Sequence, residues 1–209
     1  MTGDATAPED LCGRLHAAVR RLPVVSFPAV KDRLPSDGVY FLFEKGEAGH
    51  DGARIVRVGS HTGDGNLPNR LVEHTTENKD RSIFRKNLGR ALLNKSHDPF
   101  LEQWNWELVS RKNLELYGSR LDTKRQHEVE EAVTSYIVDA FSFAVIASGA
   151  RLPFEKALIA TVAQCPSCRP STDWLGNSSP LESIRTSGLW LTHHLHGKAL
   201  TFSQLEWLE

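Results

Sequence analysis

The stretch that decides the fold reads Gly-Val-Tyr-Phe-Leu-Phe at residues 38–43 and, after a polar spacer, Arg-Ile-Val-Arg-Val-Gly-Ser-His at residues 54–61. Both segments are rich in Val, Ile, Phe and Tyr and alternate partly with a period of two, which predicts β-strands over 38–43 and 53–60. The spacer between the strands holds three glycines and several charges. We therefore expect a hairpin with a long loop.

A short helix is predicted next to this hairpin. The turn Gly-Asp-Gly-Asn at 63–66 is followed by Leu67 to His74, where apolar residues recur at helical spacing. Arg70 and His74 are four residues apart, so they lie on the same side of that helix. Two nitrogen-bearing side chains are thus expected to face the same way beside the hairpin.

This order of motifs resembles the start of the GIY-YIG nuclease domain, a small mixed α/β module that cuts phosphodiester bonds with one divalent metal. The resemblance rests on Gly-Val-Tyr at 38–40, Arg-Val-Gly at 57–59 and the Arg70/His74 pair. Arg57 stands where the family usually has a tyrosine, and His61 is close enough in sequence to occupy nearby space. Glu155 begins a Glu-x-x-Leu-Ile segment after a predicted strand, which is similar to the family's helix that presents a metal-binding glutamate.

The remaining patterns predict an α+β fold, with a small three-stranded, mainly antiparallel sheet flanked by helices. The third strand is expected at 141–147, and helices are expected at 9–21, 82–93, 123–139, 152–162 and 180–186, with Ser82 and Gly188 as caps. We divide the chain into an N-terminal helical extension (1–35), a GIY-YIG-like core (36–163) and a C-terminal helical extension (164–209). The core contains an insertion at about 94–122. The C-terminal extension is expected to pack on the core through Trp190, Leu205, Trp207 and Leu208.

Composition indicates an ordinary globular chain of 209 residues with a formal net charge of −1. No apolar run approaches a membrane span of about 20 residues and the first residues lack a secretory pattern, so we expect a cytoplasmic protein without a membrane partner. Between residues 66 and 95 there are seven basic and three acidic residues. We expect this excess to contact DNA, with Arg57, Arg81, Arg85 and Lys86 as substrate-binding residues. The sequence does not specify an oligomeric state.

The resemblance also implies roles for the site residues. Glu155 would hold Mg²⁺ or Mn²⁺, and Arg70 would donate two hydrogen bonds to the scissile phosphate. Tyr40 would orient or activate the attacking water. His74 would polarise a phosphate oxygen or assist Tyr40, and His61 would carry protons in place of the missing tyrosine. The family pattern includes an asparagine after the glutamate helix, for which Asn177 is the available residue.

Two further features leave alternatives open. Cys165 and Cys168 form half of a zinc site, for which His193, His194 or His196 are possible partners, but we favour a proline-flanked turn over structural zinc. Arg57 in place of tyrosine also suits a non-catalytic nucleic-acid-binding module on the same fold. A third possibility is an unrelated enzyme or a protein-interaction domain in which the tripeptides are coincidental.

Overall fold

The computed structural model describes residues 8–147 and 155–206. In this part of the chain an antiparallel sheet is covered by helices on both faces. The strands are β1 (Val25–Ser26), β2 (Gly38–Gly49), β3 (Gly52–Gly59) and β4 (Phe141–Ala147). The α-helices are α1 (Pro8–Arg20), α2 (Leu67–Glu73), α3 (Ile83–Lys95), α4 (Leu101–Asn105), α5 (Arg111–Tyr117), α6 (Thr123–Ala140), α7 (Glu155–Ala163), α8 (Glu182–Ser187) and α9 (Phe202–Glu206). Short 3-10 turns lie at Lys31–Arg33, Gly118–Arg120 and Leu175–Ser178.

The strand order is β1-β4-β2-β3, and every neighbouring pair is antiparallel. The expected α+β fold is therefore confirmed, with β2 between β3 and β4. The sheet has one strand more than predicted, because Val25 and Ser26 pair with Phe143 and Ser142. Two residues are too short a run to show any alternation, so the sequence pattern could not indicate β1.

The hairpin does not contain the expected long loop. The polar spacer continues β2 to Gly49, and the strands turn at His50 and Asp51, whose φ angles are 50° and 61°. This left-handed pair is typical of a tight two-residue hairpin turn. The pairing register shifts on either side of Phe43. These irregularities interrupt the alternation of apolar and polar residues, which is why the spacer resembles a loop in the sequence. The hairpin consequently carries His50 to the end of the sheet opposite Gly38.

Both faces of the sheet are buried. Tyr40 and Leu42 pack on one face against a cluster that includes residues of α2, α3, α4 and α6. Val39, Phe41 and Phe43 pack on the other face with residues of α1, α7 and α9. A strand buried on both faces reads as a continuous apolar run, which explains why residues 38–43 alternate only partly.

Most predicted helices are confirmed within one to three residues. Ser82 caps α3 by accepting a hydrogen bond from the Arg85 backbone N–H at 3.4 Å, and Gly188 ends α8 with a φ of 70°. The predicted start of the glutamate helix at 152–154 lies outside the described residues, as do Trp207 and Leu208. No described helix is long and apolar enough to cross a membrane.

The region 94–122 contributes to the core. Trp104 of α4 is fully buried, its indole N–H donates to the Lys86 carbonyl at 2.9 Å, and its ring lies where a Cβ on Gly89 would stand. A side chain of this size packed on α3 contributes to the stability of the sheet's helical layer. The part of the segment around α4 therefore packs in that layer, whereas α5 has no buried residues.

A buried ion pair joins α3 to α6. The guanidinium of Arg85 is fully buried and contacts Glu130 Oε2 at 2.5 Å, while its Nη1 donates to the His74 carbonyl at 3.0 Å and to Thr134 at 2.9 Å. A charge can be buried in this way only with a counter-charge and satisfied donors. Glu130 is thus expected to be essential for the fold.

We predict that Glu130→Gln lowers the free energy of unfolding by about 3 to 5 kcal/mol, because it leaves the Arg85 charge buried without an anion. Urea denaturation followed by circular dichroism measures the change. The matched control is Glu115→Gln, which removes the exposed partner of Arg111 and is expected to change stability by less than about 0.5 kcal/mol. Equal effects of the two variants would contradict this account of the pair.

Candidate active site

A pocket of about 480 Å³ opens beside the ends of β2 and β3. Four of the five predicted catalytic residues line it, and the fifth, His74, lies behind Tyr40. The lining residues are Tyr40, Arg57, Gly59, Ser60, His61, Thr62, Asn66, Arg70, Glu73 and Glu155. The fold therefore brings side chains from β2, β3, α2 and α7 into one polar cavity.

Close packing explains the two motif glycines. Tyr40 pairs with Gly59 across the hairpin, and a Cβ at position 59 would overlap the Tyr40 hydroxyl. A Cβ at Gly38 would collide with the Ile146 carbonyl of β4. The absence of a side chain at both positions allows the sheet to close and leaves the Tyr40 hydroxyl at the pocket.

His74 is fully buried between Tyr40 and the start of α3. Its Nε2 lies 2.9 Å from the Tyr40 hydroxyl, and its Nδ1 lies 2.9 Å from the Ser82 hydroxyl. Burial, together with the nearby guanidinium groups of Arg70, Arg57 and Arg85, lowers the pKa of His74 well below its usual value of 6.5. The imidazole is therefore neutral, with one donor and one acceptor nitrogen. Because it is enclosed, His74 is not placed to polarise a phosphate, and only the expected assistance to Tyr40 remains.

Arg70 is held at the edge of the pocket by its Nη1 group, which donates to Glu73 Oε2 and to the Arg81 carbonyl, both at 3.0 Å. Burial opposes its charge, but the Tyr40 hydroxyl and the Glu73 carboxylate outweigh that effect and raise the pKa of Arg70. The Arg70 guanidinium also interacts electrostatically with the Tyr40 hydroxyl. A permanent positive charge thus lies beside the phenol oxygen.

Glu155 reaches the pocket from the opposite face of the sheet. It is the first described residue of α7, and its Oε2 accepts a hydrogen bond from the Ser60 hydroxyl at 2.5 Å. The pocket therefore offers a half-buried carboxylate with hydroxyl oxygens nearby. Hard oxygen donors of this kind are the ligands that Mg²⁺ and Mn²⁺ prefer, so the donor set fits the metal that the resemblance implies.

Arg57 of β3 lies at the wall of the pocket. Its Nη1 donates to the Trp190 carbonyl, its guanidinium lies 5.6 Å from the centre of the Phe84 ring, and it lines the pocket. Among the described residues its buried Nε has no hydrogen-bond partner. A guanidinium group at a pocket wall suits an anionic ligand.

His61 has a structural role in this geometry. Its Nε2 accepts the Gly38 N–H at 3.3 Å, so its Nδ1 carries the proton that it donates to the Gly63 carbonyl at 2.8 Å. Both ring nitrogens contact backbone groups, and Nε2 also lies 3.5 Å from Asp37 Oδ1. His61 thus holds the loop after β3 against the start of β2, and the predicted proton transfer would have to compete with these contacts.

Two of the four basic residues expected to contact DNA are buried. Arg85 is buried against Glu130, and Lys86 is buried with its Nζ 2.8 Å from Asp80. Neither is placed to contact a phosphate, because each charge is buried and paired with a carboxylate. The Arg81 side chain is exposed outside the pocket. Asn177 donates to the Ser171 and Thr172 carbonyls and does not line the pocket.

Sequence reasoning missed several polar residues of the pocket, and two of them hold predicted site residues. Ser60 holds the Glu155 carboxylate, and Glu73 holds Arg70. Ser60 directly follows the motif glycine Gly59, which is a signal that could have indicated it.

A second polar cluster lies away from the pocket. Cys165 and Cys168 meet residues of α1 and of the hairpin turn, since the ligand atoms of Cys12, His16, His50 and Cys168 all lie within 4.8 Å of one another. Cys165 Sγ lies 3.2 Å from His50 Nε2. The histidines considered as partners from the sequence, His193, His194 and His196, are exposed and are not part of this group.

We predict that His74 makes the protein less stable as the pH falls. Below a pH of about 6.5 the unfolded chain takes up a proton on His74 that the folded chain excludes, so the free energy of unfolding decreases with decreasing pH. Between pH 6.5 and 5.5 the native chain should lose about 1 kcal/mol more than His74→Gln in urea denaturation. His127→Gln, at an exposed histidine, is the control. Parallel pH profiles for native chain and His74→Gln would contradict a neutral buried His74.

The chain was compared with known proteins and protein families. A family model described as the GIY-YIG domain matches residues 11–209. Searches of curated proteins and of solved structures gave no significant match. The matched segment covers the sheet, the pocket and both terminal helical segments, and the fold is of the nuclease type. This chain belongs to the GIY-YIG family.

Proposed function

We propose that the protein is a metal-dependent endonuclease that hydrolyses phosphodiester bonds in DNA. The observation that carries the proposal is that Tyr40, Arg70 and Glu155 line one pocket although they come from β2, α2 and α7. A module that only bound nucleic acid would have no need of a carboxylate beside the cations, because a carboxylate repels phosphate.

Glu155 is the residue proposed to hold Mg²⁺ or Mn²⁺. A bound divalent ion supplies charge neutralisation at the phosphoryl oxygens and lowers the pKa of coordinated water. Ser60 fixes the carboxylate by donating to Oε2. A hydrogen bond from a hydroxyl orients a ligating carboxylate in the way that supporting groups of metal sites commonly do.

Arg70 is proposed to bind the scissile phosphate. Its planar guanidinium matches two non-bridging oxygens, and it stays charged because Tyr40 and Glu73 outweigh the effect of burial on its pKa. The Glu73 carboxylate and the Arg81 carbonyl both accept from Nη1, which restrains the direction of the guanidinium. Arg57, which lines the pocket, is proposed as a second cation for the phosphate.

Tyr40 is proposed to orient the attacking water through a hydrogen bond to the phenol oxygen. The phenol oxygen lies near the charge of Arg70 and 2.9 Å from His74 Nε2. In the tautomer with the proton on Nδ1, neutral His74 accepts a hydrogen bond from the Tyr40 hydroxyl and donates one to Ser82 Oγ, 2.9 Å away. His74 is then a positioning residue that acts through Tyr40.

A cleavage assay tests the proposal. Supercoiled plasmid and branched DNA are incubated with Mg²⁺ or Mn²⁺ and with native protein, Glu155→Gln, Arg70→Ala or Tyr40→Phe. Each variant is expected to cut at least about 100-fold more slowly, since each removes a group that stabilises or enables the reacting state. Arg111→Ala, at an arginine with 93% of its side chain exposed and outside the pocket, is the matched control and should cut at the native rate.

DNA binding measured in EDTA distinguishes the endonuclease from a non-catalytic nucleic-acid-binding module. If the native chain retains DNA in EDTA and leaves it intact when Mg²⁺ is restored, the protein is a non-catalytic nucleic-acid-binding module and the proposal fails. Equal cutting by all folded variants would show that the activity does not come from this pocket.

A further inference from the structure

Three distant segments of the chain bring thiols and imidazoles together. Helix α1 supplies Cys12 and His16, which are four residues apart and therefore on one face. The β2–β3 turn supplies His50, and the loop after α7 supplies the pair Cys165 and Cys168. The three cysteines and His16 are buried, and His50 is half-buried.

The separations within this cluster resemble those between ligands of one metal ion. His50 Nε2 lies 3.2 Å from Cys165 Sγ, and Cys168 Sγ lies 3.6 Å from His16 Nε2. Cys12 Sγ lies within 4.8 Å of the ligand atoms of His50 and Cys168. Ligand atoms bound at about 2.0 to 2.3 Å around tetrahedral zinc are about 3.5 Å from one another, so one ion fits between these groups with small adjustments.

We propose that the thiolates of Cys12, Cys165 and Cys168 and the imidazole of His50 bind one Zn²⁺ ion as a structural site. Thiolates and imidazole are the ligands that select zinc, whereas the oxygen-rich pocket at Glu155 suits Mg²⁺ or Mn²⁺. Four protein ligands would close the coordination shell and leave no position for a substrate. The ordinary alternative, three buried cysteines acting as small apolar side chains, does not account for two imidazoles among them.

His16 is assigned a positioning role beside the ion. Its Nε2 accepts the Ile55 N–H at 3.2 Å, and its Nδ1 donates to the Cys12 carbonyl at 2.9 Å. Coordination by His16 would replace a backbone hydrogen bond of β3. His50 Nε2 instead faces the Cys165 thiol, at 3.2 Å.

The position of the cluster explains what the ion would do. His50 is ten residues along the hairpin from Tyr40, which is about 30 Å for an extended strand, so the site is remote from the pocket. An ion there would connect α1, the hairpin turn and the loop after α7. Arg20 of α1 already donates to the His50 carbonyl, so the same two elements are joined by a direct hydrogen bond.

Zinc content and unfolding temperature of the full-length protein test the site. Protein purified without chelator should carry about one zinc per chain, and its unfolding temperature should fall after zinc removal and recover when zinc is restored. His50→Ala and Cys168→Ser should each reduce zinc to less than about one tenth of an equivalent per chain after dialysis. His196→Ala, at an exposed histidine, and Glu155→Gln should keep the full content.

Cobalt substitution keeps the test decisive if Cys168→Ser does not fold. Co²⁺ added to the zinc-free native chain should give the strong visible bands of a tetrahedral site and a thiolate-to-cobalt charge-transfer band, both displaced by zinc. Failure of the native chain to bind either metal would overturn the proposal. Loss of zinc in His16→Ala with full zinc in His50→Ala would overturn the assignment of the fourth ligand.

Discussion

The contact between the Tyr40 hydroxyl and the backbone of Gly59 is the constraint on which the site depends. The antiparallel register places these residues opposite each other, and only a residue without a Cβ leaves room for the phenol. The hydroxyl thereby reaches both His74 and Arg70. A register slip of one residue would turn Tyr40 to the other face of the sheet, away from both partners.

The groups behind the pocket belong to the buried core, so site geometry and stability are coupled. Ser82 caps α3 and contacts His74, while Arg85, one turn later, donates to the His74 carbonyl and pairs with Glu130 of α6. The imidazole is fixed by the same network that anchors two helices. A low dielectric around these groups strengthens satisfied interactions and makes unsatisfied ones costly. Substitutions in this network are therefore expected to affect folding and the position of Tyr40 together.

Local patterns in the sequence predicted the parts of the fold that depend on neighbouring residues. Helical spacing indicated α6, a capping serine indicated α3, and the four-residue interval indicated that Arg70 and His74 would share a side of α2. The spacer of the hairpin was misjudged because register shifts disguise a strand as a loop. Contacts between residues far apart in the sequence could not be predicted from local sequence patterns. Arg85 looked available for DNA because its partner Glu130 is 45 residues away. The residues that meet the CxxC pair lie on α1 and in the hairpin turn, 115 to 152 residues away, so the nearer histidines were considered instead.

The most direct test of the central claim, that one pocket holds both metal and phosphate, is the position of Mn²⁺ in crystals of the protein with a short DNA duplex, located by anomalous diffraction. The account predicts an anomalous peak about 2 Å from a Glu155 carboxylate oxygen, with a backbone phosphate between the ion and Arg70. A phosphate bound elsewhere, or Mn²⁺ absent from Glu155 while DNA occupies the pocket, would contradict it.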